Sequence, residues 1–177
     1  MRALVVYESM FGNTRLVAEA VAEGISSTVD AEVVEVGAAP KVVGDGDLVV
    51  VGGPTHAFGL TLQRTRADAR RQGEQAGHEV VSADIGLREW LAQVRSTGAA
   101  GAAFDTRVDK PRMPGSAARG AARRLRERGF RPVARPESFW VSGTFGPLCE
   151  GEIGRARRWG EQLAAAAASA GQGSARP

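Results

Sequence analysis

Two runs of this chain, ALVVY at Ala3–Tyr7 and DLVVVGG at Asp47–Gly53, carry apolar and β-branched residues without the polar alternation of a half-solvated strand. Strands of that kind are buried on both faces. They belong in a parallel sheet with helices packed above and below, which confines the chain to a small set of α/β architectures. Each run breaks into a loop of small and polar residues: Ser9 to Thr14 (SMFGNT) after the first, Gly52 to Gly59 (GGPTHAFG) after the second.

The remaining elements alternate around these two strands. Val17, Ala20, Val21, Gly24 and Ile25 fall at helical spacing and predict a helix over Thr14–Ser26. A second short strand is expected at Ala31–Val36 and a small helical turn at Lys41–Gly44. A helix is expected over Leu62–Gln72, then an irregular stretch, then a helix over Ile85–Val94 capped by Ser82 or Asp84. This crossover, Leu60 to Gly98, is longer than a plain βαβ unit needs. Ala99–Phe104 reads as a fourth strand, Asp105–Gly115 as a loop, and Ser116 as the cap of a helix reaching about Gly129. Phe130–Val141 is a last strand interrupted at Pro136, which suits a sheet edge. Glu150–Ala168 is a terminal helix with a stripe of Ile153, Ala156, Gly160, Leu163 and Ala167. Together these predict a three-layer, doubly wound α/β sandwich with a parallel five-stranded sheet of order 2-1-3-4-5. It forms one domain over residues 1–170 with a disordered tail at 171–177. In such sheets ligands sit beyond the carboxyl ends of the strands where the winding reverses, here between the two strands that end in the small-residue loops.

Composition narrows the function. No apolar run reaches membrane-spanning length, and the strand pattern begins too early for a signal peptide, so a cytoplasmic protein with no membrane insertion is expected. A single cysteine, Cys149, excludes an internal disulfide and a multi-cysteine metal site, and no metal is expected. The net charge is +3, with arginines concentrated at Arg64–Arg71 and Arg119–Arg131. Solvated helix faces account for those clusters. No aromatic residues interleave them, so nucleic acid is not an expected partner.

The Ser9–Thr14 loop has the parts of an anion cradle. The first N–H groups of a helix lack intrahelical partners and carry the positive end of its dipole, so a phosphate is held there without a lysine. Gly12 lets backbone approach closely, and Ser9, Asn13 and Thr14 carry side-chain donors. An ordinary strand-to-helix turn with Ser9 or Asn13 as N-cap uses the same residues. Other phosphate and nucleophile motifs are missing: there is no GxxxxGK[ST], no GxGxxG and no GxSxG elbow.

With both loops in register on their strands, the chain resembles the flavodoxin family along nearly its whole length. SMFGNT is similar to that family's phosphate loop at Ser9, Gly12 and Thr14, with Phe11 in place of a hydroxyl; GGPTHAFG resembles its second flavin loop, and DTRV its third. The resemblance implies an FMN site. Ser9, Met10, Phe11, Gly12, Asn13 and Thr14 would hold the phosphate. Pro54, Thr55, His56, Ala57, Phe58 and Gly59 would line the ribityl chain and ring. Asp105, Thr106 and Arg107 would edge the pyrimidine end. A backbone carbonyl near Ala57 or Phe58 would accept a hydrogen bond from the reduced ring.

His56 stands where family members often carry a tryptophan, and the third loop lacks the usual stacking tyrosine. Phe58, Phe104 or the Gly73–Asp84 stretch is then left to cover the ring. The function implied is an FMN-binding electron carrier between redox partners, either a partner protein or a reductase. The alternative is an FMN-dependent oxidoreductase using NAD(P)H or a quinone- or porphyrinogen-type substrate at an exposed flavin face. Flavodoxins are typically acidic and this chain is basic, so the sign of any docking surface differs.

Overall fold

The computed structural model describes residues 1–82, 84–112 and 114–172. Residues 173–177, most of the expected tail, lie outside the described residues. The elements in chain order are β1 (Ala3–Tyr7), α1 (Asn13–Ser26), β2 (Ala31–Glu35), a 3-10 turn (Val36–Ala38), β3 (Val42–Val43), β4 (Leu48–Pro54), α2 (Gln63–Ala76) and α3 (Leu87–Gln93). They continue with β5 (Arg95–Ser96), β6 (Ala100–Val108), α4 (Ala117–Glu127), β7 (Arg131–Pro132), β8 (Glu137–Val141) and α5 (Glu152–Gln172).

The main sheet runs β2-β1-β4-β6, all parallel, and is completed by β7 and β8, which both pair with β6. Counting the split last strand once, this is the expected 2-1-3-4-5 winding. Alternation along each strand divides the core into two layers. Val5, Tyr7, Val50, Ala102 and Phe104 face α1 and α5, whereas Val6, Val49, Val51 and Ala103 face α3 and α4. Burial on both faces is why these strands carry no polar period.

Helices α1 and α5 touch backbone to backbone. A Cβ added at Gly24 would lie 2.0 Å from the Arg157 carbonyl oxygen, and one at Gly160 would lie 2.2 Å from that of Val21. The α5 stripe also differs from expectation by one residue. Trp159 is buried against Phe104 and Phe139, while Ile153 is exposed at 37%.

Several local expectations are corrected. Lys41–Gly44 is not a helical turn: Val42 and Val43 pair in parallel with Arg95 and Ser96 in a separate two-stranded sheet. Neither Ser82 nor Asp84 caps α3; its N-cap is Gly86, whose amide donates to the Glu89 carboxylate at 3.0 Å. Strand β6 continues through Val108, so the start of the expected Asp105–Gly115 loop is paired with β8. Helix α5 extends to Gln172. No described helix is long and apolar enough to cross a membrane.

Candidate functional site

Strands β1 and β4 end side by side, with the Glu8 amide donating to the Gly52 carbonyl at 2.9 Å. The chain then turns into α1 through Gly12, the N-cap, whose φ of 90° lies in the left-handed region that glycine adopts without penalty. No side chain of that residue caps the helix. Instead the Ser9 hydroxyl accepts from the amides of Gly12 at 3.1 Å and Arg15 at 3.4 Å and so shapes the loop from within. Asn13 and Thr14, the first helical residues, have amides with no intrahelical acceptor. Their side chains are tied to the scaffold. Asn13 donates to the Phe145 carbonyl at 3.2 Å, and the Thr14 and Thr106 hydroxyls share a hydrogen bond at 2.7 Å. The cradle is therefore made of backbone N–H groups held by its own hydroxyls.

The loop forms one wall of a cavity of about 350 Å³. Ser9, Met10, Phe11, Asn13, Thr14, Pro54, Thr55, His56, Ala57, Thr106 and Arg107 line it. A narrower slot of about 180 Å³ adjoins it, walled by Phe58 and Pro111 and sharing Thr55, Ala57, Arg107 and Val108 with the larger space. Of the residues singled out from the sequence, Gly12, Gly59 and Asp105 line neither. Gly12 and Gly59 close turns. Asp105 is fully buried: its Oδ2 accepts from Thr55 Oγ1 at 2.9 Å, Ser116 Oγ at 2.6 Å and the Ala118 amide at 2.9 Å. It anchors the start of α4 rather than edging the cavity.

The loop after β4 is a tight turn. His56 and Gly59 exchange backbone hydrogen bonds at 2.9 and 3.0 Å, with Ala57 and Phe58 at φ of 42° and 74°. Two non-glycine residues in the left-handed region mark stored strain, and Phe58 is left 56% exposed beside the slot. Burial pushes His56 below its ordinary pKa; a backbone hydrogen bond with Thr65 opposes this and the Arg66 charge adds to it. The imidazole is thus neutral at neutral pH. Phe104 is fully buried in the core and does not border the site.

Sequence reasoning missed the opposite wall. Thr65, Asp68, Ala69 and Gln72 of α2 line the cavity. Their spacing puts them on one helical face, but three of the four are polar, so the pattern does not differ from a solvated face. The segment after α2 is fixed to the cradle: the Val81 and Ser82 amides donate to the Met10 and Ser9 carbonyls at 2.9 and 2.8 Å, and the Ser9 amide donates to Ser82 Oγ at 3.0 Å. Beneath lies a buried polar cluster. Glu8 accepts from Thr61 Oγ1 at 2.5 Å and from the Leu87 amide at 2.8 Å, and Arg66 donates to Thr61 and to both carboxylate oxygens of Glu89. Desolvation raises the Glu8 pKa, against the lowering effect of these hydrogen bonds and of Arg66. His78 is exposed yet stacked on Phe145, with ring centroids 4.6 Å apart and Phe11 edge-on to both.

A loop turned by glycine at the end of β1, set against the end of β4 in a doubly wound parallel sheet, gives the flavodoxin-like fold, and this chain has it. No family model and no curated protein matches the chain in sequence. Solved structures do match. A flavodoxin from the domain Archaea is 21% identical with a TM-score of 0.61, over 95% of this chain and 99% of that one. Flavodoxin 1 of Bacillus cereus is 16% identical with a TM-score of 0.63, over 92% and 97%. A WrbA-like flavodoxin of Agrobacterium tumefaciens is 18% identical with a TM-score of 0.56, over 95% and 98%. At these identities the likeness is one of fold.

Proposed function

We propose that this chain binds FMN and carries electrons between redox partners. The observation that carries the reading is the start of α1, where the Asn13 and Thr14 amides have no intrahelical acceptor, at a cavity that shares a wall with the Phe58–Pro111 slot. The loop before α1 borders the larger cavity, and the smaller, partly apolar slot shares Thr55, Ala57, Arg107 and Val108 with it, an arrangement that suits a phosphorylated chain ending in a flat ring. The fold of flavodoxins from several organisms supports the same ligand.

In this reading the amides of Asn13 and Thr14, with those of Met10 and Phe11, hold the phosphate with the help of the helix dipole and need no lysine; the Ser9 and Gly12 amides are already paired within the loop region. Gln72 on α2 offers hydrogen-bonding groups to the polyol chain, whereas the Thr65 hydroxyl is committed to the Leu62 backbone at the start of that helix. Phe58 and Pro111 exclude water from the ring slot, and the strained turn at Ala57–Phe58 presents main-chain groups to it. His56, neutral, adds a flat ring face without charge. Thr55 does not serve the ligand through its hydroxyl, which is committed to Asp105. When bound, the flavin supplies the one- and two-electron chemistry, and the chain supplies orientation and electrostatics. The partner is a redox protein or a reductase.

A second reading, an FMN-dependent oxidoreductase taking hydride from NAD(P)H or reducing a quinone- or porphyrinogen-type substrate, is favoured by the exposure of Phe58 and by the extra wall that α2 adds. The visible spectrum of the purified protein, with and without added FMN, tests the cofactor. A colourless protein that does not retain FMN overturns both readings. Anaerobic NADPH then separates them: direct bleaching of the flavin supports the oxidoreductase, and bleaching only with an added reductase supports the carrier.

A further inference from the structure

We infer that the arginine ridge of α4, joined by Arg88 of α3, is the docking surface for a redox partner, and that this partner is a one-electron carrier protein with an acidic face; this rests on the FMN reading above. Over Ala117–Glu127 the helix carries Arg119, Arg123, Arg124 and Arg126 against a single acid, Glu127. Arg119, Arg123 and Arg126 recur at spacings of four and three, so they share one stripe, and all three are exposed. The one ion pair of the ridge among the described residues, Arg123 to Glu127 at 3.8 Å, is exposed on both sides and contributes little.

The helix itself does not call for this charge. Like charges four residues apart destabilise a helix, and a cation in the first turn, where Arg119 stands, opposes the dipole. Arg124 and Arg126 in the last turn suit the dipole, but Arg124 is crowded. Desolvation lowers its pKa, and the charges of Arg88 and Arg123 lower it further, against Glu127. Its guanidinium stays charged at every working pH all the same. Elsewhere exposed arginines come with acids, as Arg15 with Glu19, Arg71 with Asp68 and Arg157 with Glu23. One sign of charge, gathered at a cost to its own helix, is complementary to an opposite charge brought from outside.

Position ties the ridge to the site. Arg88 donates from Nε to the Thr61 carbonyl at 3.0 Å and from Nη2 to that of Leu60 at 2.8 Å. A Cβ at Gly120 would lie 3.8 Å from both Leu60 Cδ1 and Arg124 Nη1, so Arg88 and Arg124 flank one short segment of chain. That segment leaves the turn at Ala57 and Phe58, which wall the slot. The approach to α4 packs on the same turn, since a Cβ at Gly115 would lie 2.0 Å from the Phe58 carbonyl oxygen. A partner seated on the start of α4 therefore also meets Phe58, the exposed edge of the slot. Nucleic acid fits this face less well: no aromatic side chain interleaves the arginines of α4 for bases to stack on, and a phosphate backbone has no use for a redox slot.

The test uses the full chain loaded with FMN and an excess of reduced plant-type ferredoxin, an acidic iron–sulfur protein, mixed without oxygen. Each ferredoxin loses one electron as its cluster is oxidised, and two of them fully reduce one flavin, which takes its protons from water. Bleaching is expected to be bimolecular, with a rate constant that falls about tenfold or more between about 0.01 M and 1 M salt, as the Debye length shrinks from about 30 Å to about 3 Å. The double variant Arg119→Gln, Arg123→Gln is expected to slow it about tenfold at the lower salt. Arg158→Glu removes the same two units of charge from an exposed position of α5, in the opposite layer, and is expected to stay within about twofold of wild type. Retained FMN absorbance shows that each variant folds. A wild-type protein that this ferredoxin does not reduce, a rate indifferent to salt, or a ridge variant no slower than Arg158→Glu overturns the inference. An oligonucleotide that the ridge holds more tightly than ferredoxin at about 0.15 M salt assigns the face to nucleic acid and overturns it too. Failure of the cofactor reading is distinct: the protein then retains no FMN before any ferredoxin is added.

Discussion

Asp105 sits at the end of β6 with one oxygen accepting from Thr55, Ser116 and Ala118, and its Oδ1 is buried with no partner among the described residues. Removing it strands three donors. Asp105→Ala is expected to cost roughly 2–4 kcal/mol in urea unfolding, since each buried donor left unpaired costs about 1–3 kcal/mol and partial relaxation recovers some of it. Phe58 carries the opposite expectation. It is largely exposed in a left-handed conformation, so Phe58→Gly is expected to stabilise the protein by roughly 1 kcal/mol while weakening FMN, because it relieves strain and removes a wall of the slot. A loss in both measurements sinks that account.

Glu8 adds a pH dependence. Its folded pKa is raised above the ordinary 4.5, so the folded protein holds the proton longer than the unfolded chain and stability falls as pH rises from there through the folded value. Glu8→Gln lacks that fall. The variant-minus-wild-type stability difference is expected to be more favourable to the variant at about pH 8 than at about pH 5. His56 has the opposite sign. Its folded pKa lies below the ordinary 6.5, so stability is lost as pH drops below that value and the unfolded imidazole takes up a proton first.

At the scale of elements, the α1–α5 contact depends on two glycines whose missing side chains let backbones meet. Gly160→Ala drives a methyl into the Val21 carbonyl and is expected to lower stability by about 1–3 kcal/mol or more, read from chemical denaturation. Helix α2 is the other extreme. It buries only Arg66, Ala69 and Gly73, so its amides are expected to exchange faster than those of α1, and FMN is expected to slow them because α2 walls the cavity. Exchange in α2 that FMN leaves unchanged argues against that wall touching the ligand.

The elements also show what the sequence made legible. Strands β1 and β4 were readable because burial on both faces leaves an unbroken apolar run, and α1 because one buried stripe repeats at helical spacing. Val42–Val43 was not: a two-residue strand has no period, and only its distant partner Arg95–Ser96 makes it one. The pocket face of α2 was hidden because Thr65, Asp68 and Gln72 look the same whether they face water or a ligand. Phe11 and Asn13 were placed in the phosphate loop, but their ties to Phe145 join residues far apart in the chain and leave no local signal.

For the molecule as a whole, the site gathers residues from the loop after β1, α1, the end of β4 and its loop, α2, β6, β8 and the loop after β8. A ligand that bridges these parts binds only the folded state. FMN at about a thousand times its dissociation constant is expected to add about 4 kcal/mol to the unfolding free energy, read as a rise in the thermal midpoint that grows with FMN concentration. A midpoint indifferent to FMN is incompatible with the cofactor reading. The border opposite β2 consists of β7 and β8, separated by residues 133–136 and interrupted by Pro132 and Pro136. A foreign strand arriving there finds no continuous row of free donors and acceptors to zip onto, so this flank resists recruitment into intermolecular ladders even when the protein is concentrated.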